Sequence, residues 1–343
     1  MRCPFGLFFD SAKHLASNRL RGEKKYPVLL TLEPLGSPVA RAGKPAGVSV
    51  ADRPMLTVPE CLAAIGECRT PLVSVSGAEP LGYPEIAALT RAILEHGQHL
   101  FLSTDGSCIR RHLHMIPPTT NFFWNVRLDG TEAAHDARAQ KTGLFGEAID
   151  GIKAAKNAGF LVLANSTIHP DTDVGDLAEL YERLHAMHLD GYLLLPHYPT
   201  ERLCREGSAR FREKMQQRFR EASERLSDYN LLTSPIYLEY LRGERELSCS
   251  VWGSPVYGPH GWTRPCGFLK AGYSKSYKAL LETTVWENYG RGLDPQCENC
   301  QCHGGYETAA LLGLNAKAGD FWKLLAWQFG GNLGEKRAGK RNA

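Results

Sequence analysis

From residue 26 to residue 196, short apolar runs alternate with amphipathic stretches. Residues 26–32 read as a buried strand, and residues 72–76, 100–104, 122–128, 161–168 and 192–196 repeat the signal. Between them, helical patterns occupy residues 57–68, 84–97, 109–115, 146–158 and 174–188. Thr57-Val58-Pro59-Glu60 has the form of a capping box at the start of the first of these helices, and Gly159 ends the fourth. Six strand–helix repeats with short connections predict a parallel sheet with helices outside it. In such sheets ligands sit just beyond the C-terminal ends of the strands.

The texture then changes. Residues 201–227 read as a charged, solvated outer helix, whereas residues 246–306 hold five of the ten cysteines among glycines and aromatics with little periodicity. The predicted division is a lead-in (1–26), a core (27–200), a helical connection (201–245), a small Cys-rich domain (246–310), and a terminal helix with a basic tail (311–343).

Composition narrows the class. At 43% hydrophobic and 22% charged residues the chain can bury a real core, and a net charge of +3 gives no reason to expect nucleic acid as a partner. No apolar run approaches the ~20 residues of a membrane span. The apolar stretch in residues 1–10 is too short for a secretory signal, so the expected location is cytoplasmic. Thiols stay reduced there, and ten cysteines point to metal rather than to disulfides.

The strongest chemical pattern is Cys249 and Cys266 followed by Cys297-Glu298-Asn299-Cys300-Gln301-Cys302. A C-x2-C pair with a distant second pair suits tetrahedral thiolate ligation of an Fe–S cluster, with zinc as the alternative. The plain reading is unrelated buried thiols. Ser76-Gly77-Ala78-Glu79-Pro80 follows the second strand, where a carboxylate could take a cationic amine; alone it is an ordinary turn. His96, His99, His112, His114, His185 and His188 lack the H-E-x-x-H spacing and read as surface histidines. Neither a phosphate-binding G-x4-G-K-[ST] loop nor a G-x-S-x-G elbow occurs.

Together, these stretches resemble the adenosylhopane synthase-like (HpnH-like) radical S-adenosylmethionine (SAM) family. The resemblance runs through Leu32-Glu33-Pro34-Leu35, Glu60-Cys61-Leu62, Gly77-Ala78-Glu79-Pro80-Leu81, Leu128-Asp129-Gly130, Trp252-Gly253, Gly261-Trp262, Arg264-Pro265-Cys266 and Cys297 to Cys300, then Gly305-Tyr306-Glu307. It implies a radical SAM-type partial (β/α)6 barrel with a small Cys-rich C-terminal domain like the SPASM or Twitch domains. It also implies that Gly77, Ala78, Glu79 and Pro80 hold the methionine amino group of SAM. Asn125 and Asn165, with His197, are candidates to hydrogen-bond a ribose or substrate, or else structural polar groups. Cys249, Cys266, Cys297, Cys300 and Cys302 are the candidate ligands of an auxiliary 4Fe–4S cluster.

One departure governs the functional reading. Where the family has C-x3-C-x2-C after the first strand, the aligned positions here are Pro38, Ala42 and Pro45, none of which can ligate iron. The expectation is therefore a catalytically degenerate paralogue that binds SAM without cleaving it and has no independent catalysis. It would be the non-catalytic half of a heterodimer with an active HpnH-like enzyme of bacterial nucleoside or terpenoid biosynthesis. The competing expectation is a stand-alone enzyme or sensor that binds SAM or a nucleoside at the barrel mouth.

Overall fold

The computed structural model describes residues 2–36, 55–198 and 208–330. Six strands, β1 (Leu29–Leu32), β2 (Leu72–Val75), β3 (His99–Thr104), β4 (Phe122–Arg127), β5 (Leu161–Ile168) and β6 (Gly191–Pro196), pair in parallel in sequential order. The helices are α1 (Phe5–Leu20), α2 (Val58–Cys68), α3 (Ile86–Glu95), α4 (Ile109–His112), α5 (Glu132–Ala139), α6 (Leu144–Asn157), α7 (Val174–Ala186), α8 (Ser208–Arg225), α9 (Pro235–Leu241), α10 (Tyr277–Thr283), α11 (His303–Leu312) and α12 (Asp320–Phe329). The capping box at α2 is formed: the Thr57 amide donates to the Glu60 carboxylate at 2.7 Å, and the Glu60 amide donates to Thr57 Oγ1 at 3.4 Å.

Alternation along each strand sends one set of side chains outward. Leu30, Leu32, Val73, Val75, Leu100, Leu102, Trp124, Val126, Val162 and Leu194 are fully buried in one core with the helices. The opposite set faces the barrel interior. The strand–helix alternation predicts this parallel, helix-covered sheet, and the family resemblance implies its partial barrel.

Three findings differ from the sequence reading. The lead-in contains a sixteen-residue helix, α1. It packs at the barrel floor, where the His99 ring bonds the Asp10 carboxylate at 2.9 Å, so His99 is buried rather than a surface histidine. Helix α8 is amphipathic rather than solvated: Phe211, Met215, Phe219 and Ala222 are buried at helical spacing. Finally, the Cys-rich segment joins the same sheet. Strand β7 (Val256–Gly258) pairs in parallel with β1, and β8 (Gly261–Arg264) and β9 (Gly272–Ser274) continue antiparallel, giving the order β6-β5-β4-β3-β2-β1-β7-β8-β9 among the described residues. Short strands and irregular connections hid this from a periodicity argument.

The C-terminal helix is fastened by a buried ion pair. Arg245 makes a fork to Asp320 at 2.9 and 2.5 Å and donates to the Asn315 carbonyl at 2.7 Å. Arg245 also reaches the Glu239 carboxylate at 3.4 Å, so losing Asp320 leaves the guanidinium one weaker partner. Asp320→Ala is therefore expected to cost about 1–3 kcal/mol, read as a lowered urea midpoint in equilibrium unfolding.

Candidate functional site

The interior is built in layers by the strand register. At the floor, Leu7 of α1 meets Phe123 and Leu163, with Phe101 stacked on Phe123 at 4.7 Å. Two residues further along each strand the layer turns polar. Asn125 donates to Ser103 Oγ at 3.0 Å, and Asn165 donates to Asn125 Oδ1 at 3.1 Å. Both asparagines are buried, and the relay crosses β3, β4 and β5. Another two residues on, Arg127 is held by Asp129 at 2.7 Å with half its side chain exposed. A polar layer above an apolar floor is what a cavity for a hydroxylated ligand requires.

The rim carries the other candidates. Gly77 has φ +97°, and a Cβ there would lie 2.6 Å from the Gly36 carbonyl oxygen. The Ala78 amide donates to that same oxygen at 2.9 Å, so the turn after β2 is locked onto the turn after β1. Glu79 accepts from Thr104 Oγ1 at 2.7 Å and from the Asp105 and Leu81 amides at 2.9 and 3.2 Å. Pro80 opens a single 3-10 turn behind it. Burial raises the Glu79 carboxyl above its ordinary range, opposed by the Asp105 amide and the Thr104 hydroxyl. Glu79 thus ties β2 to β3 and keeps a carboxylate at the mouth. Across the mouth, His197 stacks on His169 at 4.2 Å. Burial lowers both imidazoles, with His197 adding to the effect on His169, which falls to about 4.

The five C-terminal thiols gather in one region. A Cβ on Gly305 would meet Cys249 Sγ at 2.7 Å and Cys302 Sγ at 3.2 Å. A hydrogen bond between the free thiols of Cys300 and Cys302 lowers Cys300 and raises Cys302. Burial pushes Cys266 up to about 11 and Cys297 up to about 12, and both are influenced by Cys300. The Leu269 amide donates to Cys266 Sγ at 3.4 Å. An amide aimed at sulfur favours thiolate over thiol. Among the described residues no three Cys, His, Asp or Glu side chains close onto one coordination point. The thiols share a region without forming a closed ligand shell.

Comparison with known proteins bears on one part of the chain at a time. Residues 49–184, less than half of the chain, match the Radical SAM superfamily. Residues 193–324 match a second family, described as a domain of unknown function, DUF3463. GTP 3',8-cyclases of Mycobacterium sp. strains KMS and JLS are 30% identical over 112 residues, which is 32% of this chain and 32% of theirs, so the match spans about a third of those relatives. Among solved structures, Streptococcus suis SuiB bound to its precursor peptide SuiA aligns at TM-score 0.60 and 12% identity, covering 85% of this chain and 75% of that one. SuiB bound to SAM aligns at 0.58 and 14% identity, covering 82% and 70%. The protein anSMEcpe with bound AdoMet and a peptide aligns at 0.53 and 12% identity, covering 89% and 97%. At these identities the likeness is one of fold.

A radical SAM domain implies an Fe–S cluster, and the residues after β1 do not fit one. Pro38, Ala42 and Pro45 lie outside the described residues, and the sequence holds no cysteine between Cys3 and Cys61. The neighbouring thiols are engaged elsewhere. Cys61 and Cys68 are buried on the inner face of α2, Cys108 begins α4 beside Ser107, and Cys3 is tied through its backbone to Gln328.

Sequence reasoning missed Thr104, whose hydroxyl orients Glu79, and the Asp129 carboxylate that holds Arg127. Strand alternation places Asn125 and Arg127 on one face, but the Asn125 partners, Ser103 and Asn165, come from neighbouring strands and need the register. It also passed over the buried carboxyl of Glu307. That carboxylate accepts the Ser234 amide at 3.2 Å with one oxygen, leaves the other unpartnered, and is raised by burial to about 8. A folded-state value raised above the unfolded ~4.3 makes the native protein hold a proton that the unfolded chain has released. Stability is therefore expected to fall as pH rises from about 5 to about 8, and Glu307→Gln to flatten that decline, measured as thermal midpoint against pH.

Proposed function

We propose that the chain is a radical SAM paralogue that has lost reductive SAM cleavage and serves as the non-catalytic subunit of a heterodimer with an active, HpnH-like radical SAM enzyme. The observation that carries this reading is the contrast between a kept mouth and a missing thiolate loop. Gly77, Ala78, Glu79 and Pro80 form a locked turn, and Asn125 and Asn165 form a buried relay with Ser103. The superfamily match itself begins at residue 49, downstream of Pro38, Ala42 and Pro45. Reductive cleavage of SAM needs an electron delivered through an iron that holds SAM, and a loop without thiolates cannot hold that iron. What remains can bind: Glu79 offers a carboxylate to an ammonium, and the asparagine relay offers an amide to a ribose hydroxyl.

In this reading the role is structural and allosteric within a nucleoside or terpenoid biosynthetic complex in the cytoplasm. The second reading, a SAM- or nucleoside-binding enzyme or sensor acting alone, draws support from the same polar layer. The test is 5′-deoxyadenosine formation from SAM and a strong reductant. The expected result is none from this chain alone, and turnover by the neighbouring radical SAM enzyme raised when this chain is added. Product from the chain alone overturns the proposal, and SAM binding without any effect on a partner favours the sensor.

The thiol region is read as an auxiliary centre ligated by Cys249, Cys266, Cys297 and Cys300, the C-x2-C pair and its distant second pair. Cys302 stands as the hydrogen-bonded neighbour of Cys300. Such a centre would cross-link β7 and β8 to α11 and stabilise the C-terminal segment. Anaerobically purified protein is expected to hold about four irons for a 4Fe–4S cluster. Cys297→Ala with Cys300→Ala should lose the iron and lower the thermal midpoint. One zinc per chain would keep the site and exclude the cluster.

A further inference from the structure

Two helices, α1 and α12, turn apolar side chains to the outside of the fold. Of the eleven large hydrophobic side chains exposed among the described residues, six belong to these two helices: Phe5, Phe9 and Leu20 on α1, and Phe321, Trp322 and Phe329 on α12. Each of the six is more than half exposed. On α12, residues 321, 322, 325 and 329 recur at helical spacing on one side. The usual arrangement, apolar in and polar out, is reversed here. Asp320 and Gln328 are the buried residues of α12, and the Trp327 ring N–H donates inward to the Leu231 carbonyl at 3.2 Å.

The two faces meet where α1 begins and α12 ends. Phe8 touches Phe329 edge-on at 5.2 Å, and Phe5 stacks with Phe9 at 6.1 Å. Gln328 exchanges hydrogen bonds with the Cys3 backbone at 3.4 and 3.1 Å, and Arg2 donates to the Trp327 carbonyl at 3.0 Å. With Asp320 held by Arg245 at its other end, α12 is not free to roll its aromatic side inward. The charge around this surface is mainly positive. The one acid of each helix is engaged, Asp10 with His99 and Asp320 with Arg245, and Lys323 pairs with Glu239. Lys13, Arg21 and Lys24 are exposed on or just past α1, with Glu23 the acid among them. Residues 331–343 continue the chain from α12 and lie outside the described residues; they hold Lys336, Arg337, Lys340 and Arg341 against Glu335. That short stretch carries a charge of +3, as much as the net charge of the whole chain.

We propose that α1 and α12 form a docking face for an anionic phospholipid surface, with the aromatic side chains entering the headgroup region and the basic residues beyond α12 meeting its phosphates. Clustered exposed apolar side chains mark an interaction site. Beside cations they fit the bilayer interface, where Trp and Phe bury their rings while Lys and Arg remain with the headgroups. A second copy of the chain fits less well, because a two-fold contact across the same face brings two sets of the same cations together. The chain would lie on the membrane rather than span it: among the described residues no helix is long and apolar enough to cross. The face is separate from the barrel mouth and from the thiol region, and does not depend on how either is used.

The test is co-sedimentation of the full chain with vesicles of phosphatidylcholine alone and of phosphatidylcholine mixed with phosphatidylglycerol. Binding is expected to the mixed vesicles, to weaken as salt is raised, and to be much poorer to phosphatidylcholine alone. Phe9→Ser with Trp322→Ser, both at exposed positions, should weaken it by about tenfold or more. Each cation near an anionic surface contributes about fivefold in affinity, so replacing Lys336, Arg337, Lys340 and Arg341 by Gln should also cost about tenfold or more. Circular dichroism checks folding; if the aromatic variant fails to fold, the charge variant decides alone. No binding to the mixed vesicles, or unchanged binding in either variant that folds, overturns the proposal. A dimer in light scattering that the aromatic variant abolishes, without vesicle binding, also overturns it and gives the face to a second copy.

Discussion

The two-residue repeat of six parallel strands, curled into a partial barrel, is the constraint on which the rest depends. Each strand must bury one face beneath helices, and this fixes the other face toward the interior. The outward set is apolar almost without exception, from Leu30 and Leu32 on β1 to Leu194 on β6. The inward set is then free to change character along the barrel axis. It runs from an aromatic floor at Phe101 and Phe123 through the Ser103–Asn125–Asn165 relay to Arg127 at the mouth. A slip of one residue on β4 would turn Asn125 into the helix layer and Trp124 into the cavity.

This also explains which parts of the molecule were legible in the sequence. The repeats from β1 to β6 announce themselves because each apolar run must be covered, and the Thr57 capping box is a local signal that needs no tertiary information. Helix α1 was hidden because only Leu7 and Asn18 of its sixteen residues are buried, so it shows little stripe. Helix α8 concealed its apolar face beneath a high density of Arg and Glu. Strands β7 to β9 are three or four residues long, too short for periodicity to register, and they are strands because β1 offers an unpaired edge.

The candidate site divides along the same line. Glu79 and the glycine before it were visible because a βα turn is local in sequence. Its partners Thr104 and Asp105 come from the end of the next strand, and the Gly36 carbonyl against which Gly77 is pressed comes from the turn after the preceding one. The cysteines were visible by type and spacing. What spacing could not supply was how close they come, with Gly305 pressed against the Cys249 and Cys302 sulfurs.

The pairing of β7 with β1 has a consequence for where the chain can be divided. Two family matches, to residues 49–184 and 193–324, divide the chain as though it were two transferable pieces. The hydrogen bonds do not respect that seam: β1 carries β2 on one side and β7 on the other, and Val28 donates to the Gly253 carbonyl at 2.7 Å just ahead of the ladder. The barrel's first strand is completed by residues more than two hundred positions away. Cutting the chain at that seam would leave β1 with an unpaired edge, so the first matched segment does not close its own sheet.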